Sequence, residues 1–136
     1  MLFLAGKTGV VSTQYNGSGI AGYVAYADSM LCSVANNYEN TFTDINSFLM
    51  KSLVKSTTFK GVTSKIFPAT REQILFGGFS YFNSESRRKL SVNWWLADNE
   101  STTSGKAHVI DTTGAEQTIH VIERAAFRPF LTLRTV

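Results

Sequence analysis

Residues 74–100 read ILFGGFSYFNSESRRKLSVNWWLADNE, and this stretch decides the fold that the sequence predicts. It contains six of the seventeen aromatic residues, and its polar centre divides it into two limbs. Two sets of residues alternate along the second limb: Leu90, Val92, Trp94 and Leu96 in one, and Ser91, Asn93, Trp95 and Ala97 in the other. A period of two is typical of a β-strand with one face in the core. We therefore predict a central aromatic hairpin.

Trp95 lies on the side of this strand that faces away from the predicted core. A large indole in that position needs a second packing layer or a neighbouring subunit to cover it. We predict a neighbouring subunit, together with contacts from the charged residues at and after the hairpin. The candidate interface residues are Trp95, Arg87, Arg88, Lys89, Asp98 and Glu100.

The composition indicates one globular domain over residues 1–136. Hydrophobic residues make up 43% of the chain, which is enough for one core. Charged residues make up 17%, below the usual value of about 25%. The surface is therefore rich in weakly polar side chains, which suits packing against other copies. The net charge of +3 is mild and is typical of a solvated basic face.

The remaining elements are read from local patterns. Residues 10–15 and 57–67 predict strands, and residues 44–55 predict an amphipathic helix with Lys51 and Lys55 towards its C-terminus. Residues 20–35 fit either a helical stripe or a strand, and turn residues favour a strand over 22–27.

A second hairpin is predicted from residues 106–111 and 117–124 around Thr113 and Gly114, followed by a last strand at 130–136. The C-terminal half then forms a four-stranded antiparallel meander. The predicted fold is mainly β, a sandwich or barrel of antiparallel strands with one flanking α-helix near 44–55.

Two motifs point weakly to ligands. Residues 17–22 match the dinucleotide pattern G-x-G-x-x-G, but no strand ending in an acidic residue follows at the required spacing, which favours a flexible glycine loop. If Asp111 pairs with Gln117, His108 lies opposite His120, where the two histidines fit a metal site or a pH switch. Too few further ligands are local, so a surface histidine pair is the preferred interpretation.

No residue pattern indicates an enzyme. No Ser/His/Asp set or carboxylate pair stands out, and Cys32, the only cysteine, reads as a small core residue. We expect no catalytic residues, no metal, no cofactor and no small-molecule substrate. The N-terminal apolar run is too short for a signal peptide or a membrane span, so no membrane contact is expected.

The layout resembles small virion proteins of tailed bacteriophages, especially tail-tube subunits. The shared features are the glycine-containing entry LAGKTGVV, one amphipathic helix, a long aromatic hairpin and a final strand. The resemblance implies a sandwich or barrel whose sheets join into a ring, with one helix on its flank. It also implies homo-oligomers that contact other virion proteins, assembled in the host cytoplasm. Tube lumens are commonly acidic, and this basic chain departs from that pattern, which keeps a capsid decoration protein as an alternative.

The second functional class is a small nucleic-acid-binding module. Arg87, Arg88 and Lys89 adjoin aromatic residues, and such surfaces bind single strands by stacking and by phosphate contacts. For a virion protein, the nucleic acid would be passing or packaged DNA. The preferred hypothesis is a self-assembling viral structural subunit.

Overall fold

A computed structural model describes residues 2–3, 11–17, 20–41 and 54–133 of the chain. Most of the regular structure within them is β-strand, and the prediction of a mainly β fold is confirmed. The strands are β1 (Leu2–Phe3), β2 (Val11–Gln14), β3 (Val54–Lys55), β4 (Thr57–Phe59), β5 (Val62–Ser64), β6 (Trp94–Asn99), β7 (Lys106–Ile110), β8 (Glu116–His120), β9 (Arg124–Phe127) and β10 (Phe130–Leu133). The helices are α1 (Met30–Thr41), α2 (Arg71–Leu75) and α3 (Glu85–Arg88), with 3₁₀ turns at Tyr26–Asp28 and Ser80–Phe82.

The strands form three sheets. The largest has five strands in the order β2-β9-β6-β7-β8, the second has the order β1-β10-β3, and the third consists of β4 and β5. The pairs are antiparallel except for β6 and β9, which meet in parallel at Trp94 and Ala126. The predicted antiparallel meander is therefore wrong in one respect. The sequence analysis did not separate β9 as a strand, and β9 lies beside β6 instead of beside β8.

Strand β6 separates two hydrophobic clusters. Trp94 and Leu96 belong to one cluster, with Phe82 and Phe130 among its members. Trp95 and Ala97 belong to the other, which contains core residues such as Tyr15, Leu31, Val109 and Phe127. The predicted alternation is therefore confirmed over residues 94–97, but both faces of the strand are buried.

Trp95 is wrongly assigned to the interface, because its side chain is fully buried within the chain. Its indole N–H donates to the Thr13 carbonyl at 2.8 Å, and its ring meets the edge of Tyr15 at 5.5 Å between centroids. Strand β2 thus supplies the second packing layer.

The first limb of the predicted aromatic hairpin is also wrong. It forms α2, the second 3₁₀ turn and α3. Thr70 begins α2 with a capping box, in which its hydroxyl accepts from the Gln73 N–H at 3.3 Å and the Gln73 side chain accepts from the Thr70 N–H at 2.9 Å. Gly77 then turns the chain with φ +83°, and a Cβ on Gly78 would lie 2.7 Å from the Gln73 Cα.

The predicted strand at 22–27 is wrong as well, because residues 22–25 form no regular element and the first 3₁₀ turn begins at Tyr26; α1 follows from Met30. Ser29 precedes α1, and its hydroxyl accepts from the Cys32 N–H at 3.0 Å. Leu31, Cys32 and Ala35 are buried, so the helical alternative was the better interpretation. The prediction that Cys32 is a small core residue is confirmed.

The predicted helix at 44–55 lies outside the described residues, except for Val54 and Lys55, which form β3. The predicted strand at 57–67 is a hairpin of β4 and β5, because Lys60 (φ +48°) and Gly61 (φ +83°) reverse the chain. The strand predicted at 10–15 is confirmed as β2, and the strand at 130–136 is confirmed as β10 up to Leu133.

The second hairpin is confirmed as β7 and β8, but its register differs from the prediction. His108 lies opposite Thr118, and His120 lies opposite Lys106. The two histidines are therefore not a directly opposed pair. Five residues connect the paired positions in both registers, but the turn covers residues 111–115 instead of 112–116, and Asp111 caps it through bonds to the Thr113 and Ala115 N–H groups.

We predict that Trp95→Ala destabilises folding by about 3–5 kcal/mol, because it leaves a cavity and an unpaired Thr13 carbonyl in a packed core. Urea unfolding followed by circular dichroism measures the change. Val92→Ala is the matched control: Val92 is 45% exposed just before the same strand, and its loss should change the free energy of unfolding by no more than about 0.5 kcal/mol. Equal effects of the two substitutions would contradict the burial of Trp95.

Candidate interaction surface

One face of the five-stranded sheet changes from apolar to polar along its strands. Ile110 lies opposite Trp94 on one side and opposite Glu116 on the other, so these three residues share a face. His108 and Thr118 continue that face, because they are two residues further along β7 and β8. The apolar end of the face packs under α2 and α3, and the polar end borders a cleft.

The cleft has a volume of about 580 Å³. Its lining comes from the β4 strand, from the start of α2 and its following turn, and from the end of β6 and His108 on β7. The ionisable lining residues are Arg71, Glu72, Asp98, Glu100 and His108. Phe76 also lines the cleft, and its ring is 67% exposed.

Arg71 holds the helical side of the cleft to the sheet. Its guanidinium forms a two-pronged ion pair with the Glu116 carboxylate, through Nε to Oε2 and through the second nitrogen to Oε1 at 3.0 Å. Its backbone N–H donates to Asp98 Oδ2 at 2.6 Å. Burial favours the neutral form of Glu116, but the hydrogen bond and charge of Arg71 outweigh it and lower the Glu116 pKa.

His108 lies under this ion pair. Only 12% of its side chain is exposed, and its Nδ1 is 3.1 Å from Glu116 Oε2 without a hydrogen bond to any described group. Burial lowers the pKa of His108 below its usual 6.5, which outweighs the attraction of the nearby carboxylates for its proton. The imidazole is therefore neutral at pH 7.

Three carboxylates of the cleft lack a cationic partner within the described residues: Glu72, Asp98 and Glu100. Hydrogen bonds from the Ser104 and Thr118 hydroxyls lower the pKa of Glu100, and the Ser104 bond is 2.7 Å long. The lowered pKa keeps Glu100 charged at neutral pH. The cleft lining contains three acidic residues and one arginine, Arg71, which is paired with Glu116. We call Glu72, Asp98, Glu100 and Phe76 the acidic cleft.

Residues 85–89 carry the opposite charge. Arg87, Arg88 and Lys89 lie on α3 and at its end, and none of them forms an ion pair with a described residue. The guanidinium of Arg87 lies over the Tyr81 ring at 5.1 Å, and Tyr81 is 54% exposed. We call Arg87, Arg88, Lys89 and Tyr81 the basic segment. It is not part of the lining of the acidic cleft.

The backbone of the basic segment is anchored to the core. The Arg88 carbonyl accepts from the Trp94 indole at 2.9 Å and from the Arg128 guanidinium at 2.8 Å. The turn at Gly114 presses against the start of α3, because a Cβ there would overlap the Glu85 carbonyl oxygen. The side chains of Arg87 and Lys89 therefore project from a fixed support.

Arg128 is a buried cation that the sequence analysis missed. Its side chain is 2% exposed, and its guanidinium lies 4.6 Å from the Trp94 ring centroid and 5.2 Å from that of Phe82. Burial lowers its pKa to about 10, so it remains charged at neutral pH. The pattern R-P-F after an apolar strand gives no sign of an aromatic cage, because the rings come from three separate segments.

The structure places the six predicted interface residues in three different parts of the chain: the core, the acidic cleft and the basic segment. Trp95 belongs to the core. The structure brings Asp98 and Glu100 together in the acidic cleft, and it keeps Arg87, Arg88 and Lys89 together at a separate position. Glu72 and Phe76 complete the cleft and were not singled out from the sequence.

Three other kinds of site have less support: a metal site, a membrane-spanning helix and a dinucleotide site. Among the described residues, no three His, Cys, Asp or Glu side chains are grouped so as to hold a metal ion. Within the same ranges, no helix is long and apolar enough to cross a membrane. In the glycine loop, the Asn16 side chain donates to the carbonyls of Ile20 and Gly22, and the next helix begins only at Met30. The dinucleotide motif thus lacks the helix N-terminus that its chemistry requires.

Comparison of the chain with protein-family models, curated proteins and solved structures gives no match. The resemblance to tail-tube subunits therefore stays a prediction.

We predict that lowering the pH from 7 to 5.5 destabilises the fold partly through His108. Its folded pKa is below 6.5, so the unfolded chain binds more protons as the pH falls through this window, and stability decreases. His108→Gln should have a shallower pH dependence than the wild type, measured as urea midpoints at several pH values. An unchanged slope would contradict a neutral, buried His108.

Proposed function

We propose that this chain is a self-assembling structural subunit of a bacteriophage particle, first a tail-tube subunit and second a capsid decoration protein. The supporting observation is that one chain carries two separate surfaces of opposite charge. The acidic cleft has three carboxylates without cationic partners, and the basic segment has three cations without ion pairs. Each surface complements the other on a second copy.

Complementary surfaces at different places on one subunit lead to head-to-tail contacts. Such contacts close into rings when the rotation between subunits allows, and they extend into filaments otherwise. Electrostatic complementarity also selects the partner and orients the encounter. A ring of identical subunits is the arrangement that the tail-tube resemblance implies.

Exposed aromatic rings accompany both charged surfaces. Phe76 is 67% exposed in the acidic cleft, and Tyr81 is 54% exposed in the basic segment. Aromatic residues and arginine are enriched among the residues that dominate binding energy at protein interfaces. The two surfaces therefore combine charge with apolar area that a neighbour would cover.

The finer architecture is part of this proposal. The three-stranded sheet sends Phe130 into one hydrophobic cluster and Leu131 into the other, and both clusters also contain residues of the five-stranded sheet. This arrangement supports a β-sandwich in preference to a barrel.

We predict that the wild type forms oligomers in mass photometry and light scattering, and that charge reversal weakens them. The cleft variant is Glu72→Lys with Glu100→Lys, and the basic variant is Arg87→Glu with Lys89→Glu. Each alone should raise the assembly concentration at least tenfold, because like charges then face each other. Mixing the two variants should restore assembly, because each surface of one variant then meets a surface of opposite charge on the other. Combining all four substitutions in one chain should restore assembly for the same reason.

Asp98 and Arg88 are kept because they bond to the backbone of Arg71 and Phe82, respectively. Ser33→Lys with Asn40→Lys is the control, since both residues are exposed on α1 and the change adds positive charge elsewhere. A wild type that stays monomeric at high concentration would overturn the proposed function. Charge reversals that leave assembly unchanged would overturn only the assignment of the surfaces.

One observation favours a second function, binding of single-stranded nucleic acid. The guanidinium of Arg87 lies over the exposed Tyr81 ring, beside the cations Arg88 and Lys89. Such a surface offers one ring for base stacking and three charges for phosphates.

For this second function, we predict that a labelled single-stranded DNA binds with strong salt dependence. Replacing Arg87, Arg88 and Lys89 with Ser should remove most of the binding and flatten the salt dependence in fluorescence anisotropy, because about three phosphate contacts are lost. The cleft variant serves as the control and should not weaken binding. Equal loss in both variants would contradict a specific role of the basic segment.

A further inference from the structure

Among the described residues, strand β8 ends the five-stranded sheet, because it pairs with β7 on one side only. The ladder between β7 and β8 runs through five successive residue pairs without a bulge. Edge strands of monomers are usually protected by lysine, proline or bulges. The sequence of β8, EQTIH, contains neither Lys nor Pro, and the charge of its one acidic residue, Glu116, is paired with Arg71.

Two backbone hydrogen bonds show which residues of β8 face outward. The Asp111 N–H donates to the Ala115 carbonyl at 2.8 Å, and the Val121 N–H donates to the Gly105 carbonyl at 2.9 Å. Bonded pairs alternate along an antiparallel ladder, so Gln117 and Ile119 also bond to β7. The N–H and C=O groups of Glu116, Thr118 and His120 therefore point away from the sheet.

The groups of His120 are already satisfied within the chain. Its N–H donates to the Glu123 carboxylate at 2.8 Å, and its carbonyl accepts from the Glu123 N–H at 2.9 Å. The open edge thus consists of four groups, the N–H and C=O of Glu116 and of Thr118. The Glu123 turn closes it at one end, and the turn at Thr113 and Gly114 closes it at the other.

We propose that this edge binds β8 of a second copy of the chain, antiparallel, about a two-fold axis at Gln117. In this register Glu116 of each copy pairs with Thr118 of the other, which uses all four open groups on both strands in four hydrogen bonds. A two-fold axis at Thr118 would instead pair Glu116 with His120, whose groups are occupied. Of these two registers, only the one with the axis at Gln117 pairs all of the open backbone groups of both strands.

The side chains are compatible with this pairing. Each Glu116 faces a neutral Thr118, and its own charge is balanced by Arg71. Gln117 is exposed and faces its symmetry mate, so the two amides can bond to each other. Ile119, which is half-buried, faces Ala115 of the second copy and gains apolar cover. No like charges are directly opposed.

This two-fold contact goes beyond the proposed function. It uses neither the acidic cleft side chains of Glu72 and Asp98 nor the basic segment, so it forms independently of the head-to-tail contact.

The test is disulfide cross-linking of Gln117→Cys in a Cys32→Ala background. Residue 117 and its mate form a non-hydrogen-bonded pair with Cα atoms about 4.5 Å apart, which lies within the range that a disulfide spans. Treatment with oxidised glutathione at micromolar protein should give a dimer on non-reducing gels. Thr112→Cys, an exposed position in the hairpin turn, is the control and should cross-link at least tenfold more slowly.

Thr118→Pro added to the Gln117→Cys chain should reduce the cross-linking rate at least tenfold. Proline removes an outward N–H and leaves the bonds to β7 in place. Thr118→Val keeps the N–H and should retain cross-linking, and circular dichroism checks that both variants fold. Equal cross-linking rates at residues 112 and 117, or an unchanged rate at 117 when Thr118 is replaced by proline, would each overturn the inference.

The cross-link also separates this inference from the proposed function. The cleft and basic variants should still link at residue 117, because the edge is unchanged. If the wild type assembles but Gln117→Cys does not cross-link, only the two-fold contact is overturned. If Gln117→Cys cross-links but the chain forms nothing larger than dimers, the two-fold contact is supported and the ring is overturned.

Discussion

The burial of β6 on both faces is the constraint on which the rest of the structure depends. Trp94 and Trp95 are adjacent, so their indoles enter opposite clusters, and each needs an acceptor for its N–H in a dry environment. The acceptors are the carbonyls of Arg88 and Thr13, which lie on opposite sides of the strand. These two bonds locate the basic segment on one side and β2 on the other. A strand with one tryptophan would order only one of these layers.

Arg128 connects the core around Trp94 to the basic segment at the surface. A buried cation is costly unless other groups compensate for lost water. Here the faces of Trp94, Phe82 and Phe130 surround the guanidinium, and it donates to the carbonyl that also accepts from Trp94. The core and the backbone of the basic segment therefore share one acceptor, Arg88. The backbone between Arg87 and Lys89, which carry exposed charges, is therefore anchored to the core through the Arg88 carbonyl.

The candidate surfaces were partly predictable. Runs such as residues 87–89, and polar residues after a strand such as Asp98 and Glu100, are visible in the sequence because their members are neighbours in the chain. Arg71 could not be grouped with His108 and Glu116 in that way, since it comes from α2 and meets the hairpin of β7 and β8 only when α2 packs on the sheet. Arg128 and its aromatic rings were missed for the same reason. The open edge of β8 depends on the hairpin register, which differs by two residues from the one that the sequence suggested.

By itself the sequence determined what local chemistry controls: the alternation over residues 94–97, the hairpin of β7 and β8, and the mainly β character. A period of two and a turn rich in polar residues and glycine need no distant partner to be recognised. The tertiary structure decided which layer covers Trp95, why residues 71–88 form short helices instead of a strand, and where β9 lies. Those features depend on contacts between segments far apart in the chain, such as Trp95 with Thr13 and Arg71 with Glu116. A local sequence pattern does not show which distant segments meet or how much free energy their contact contributes.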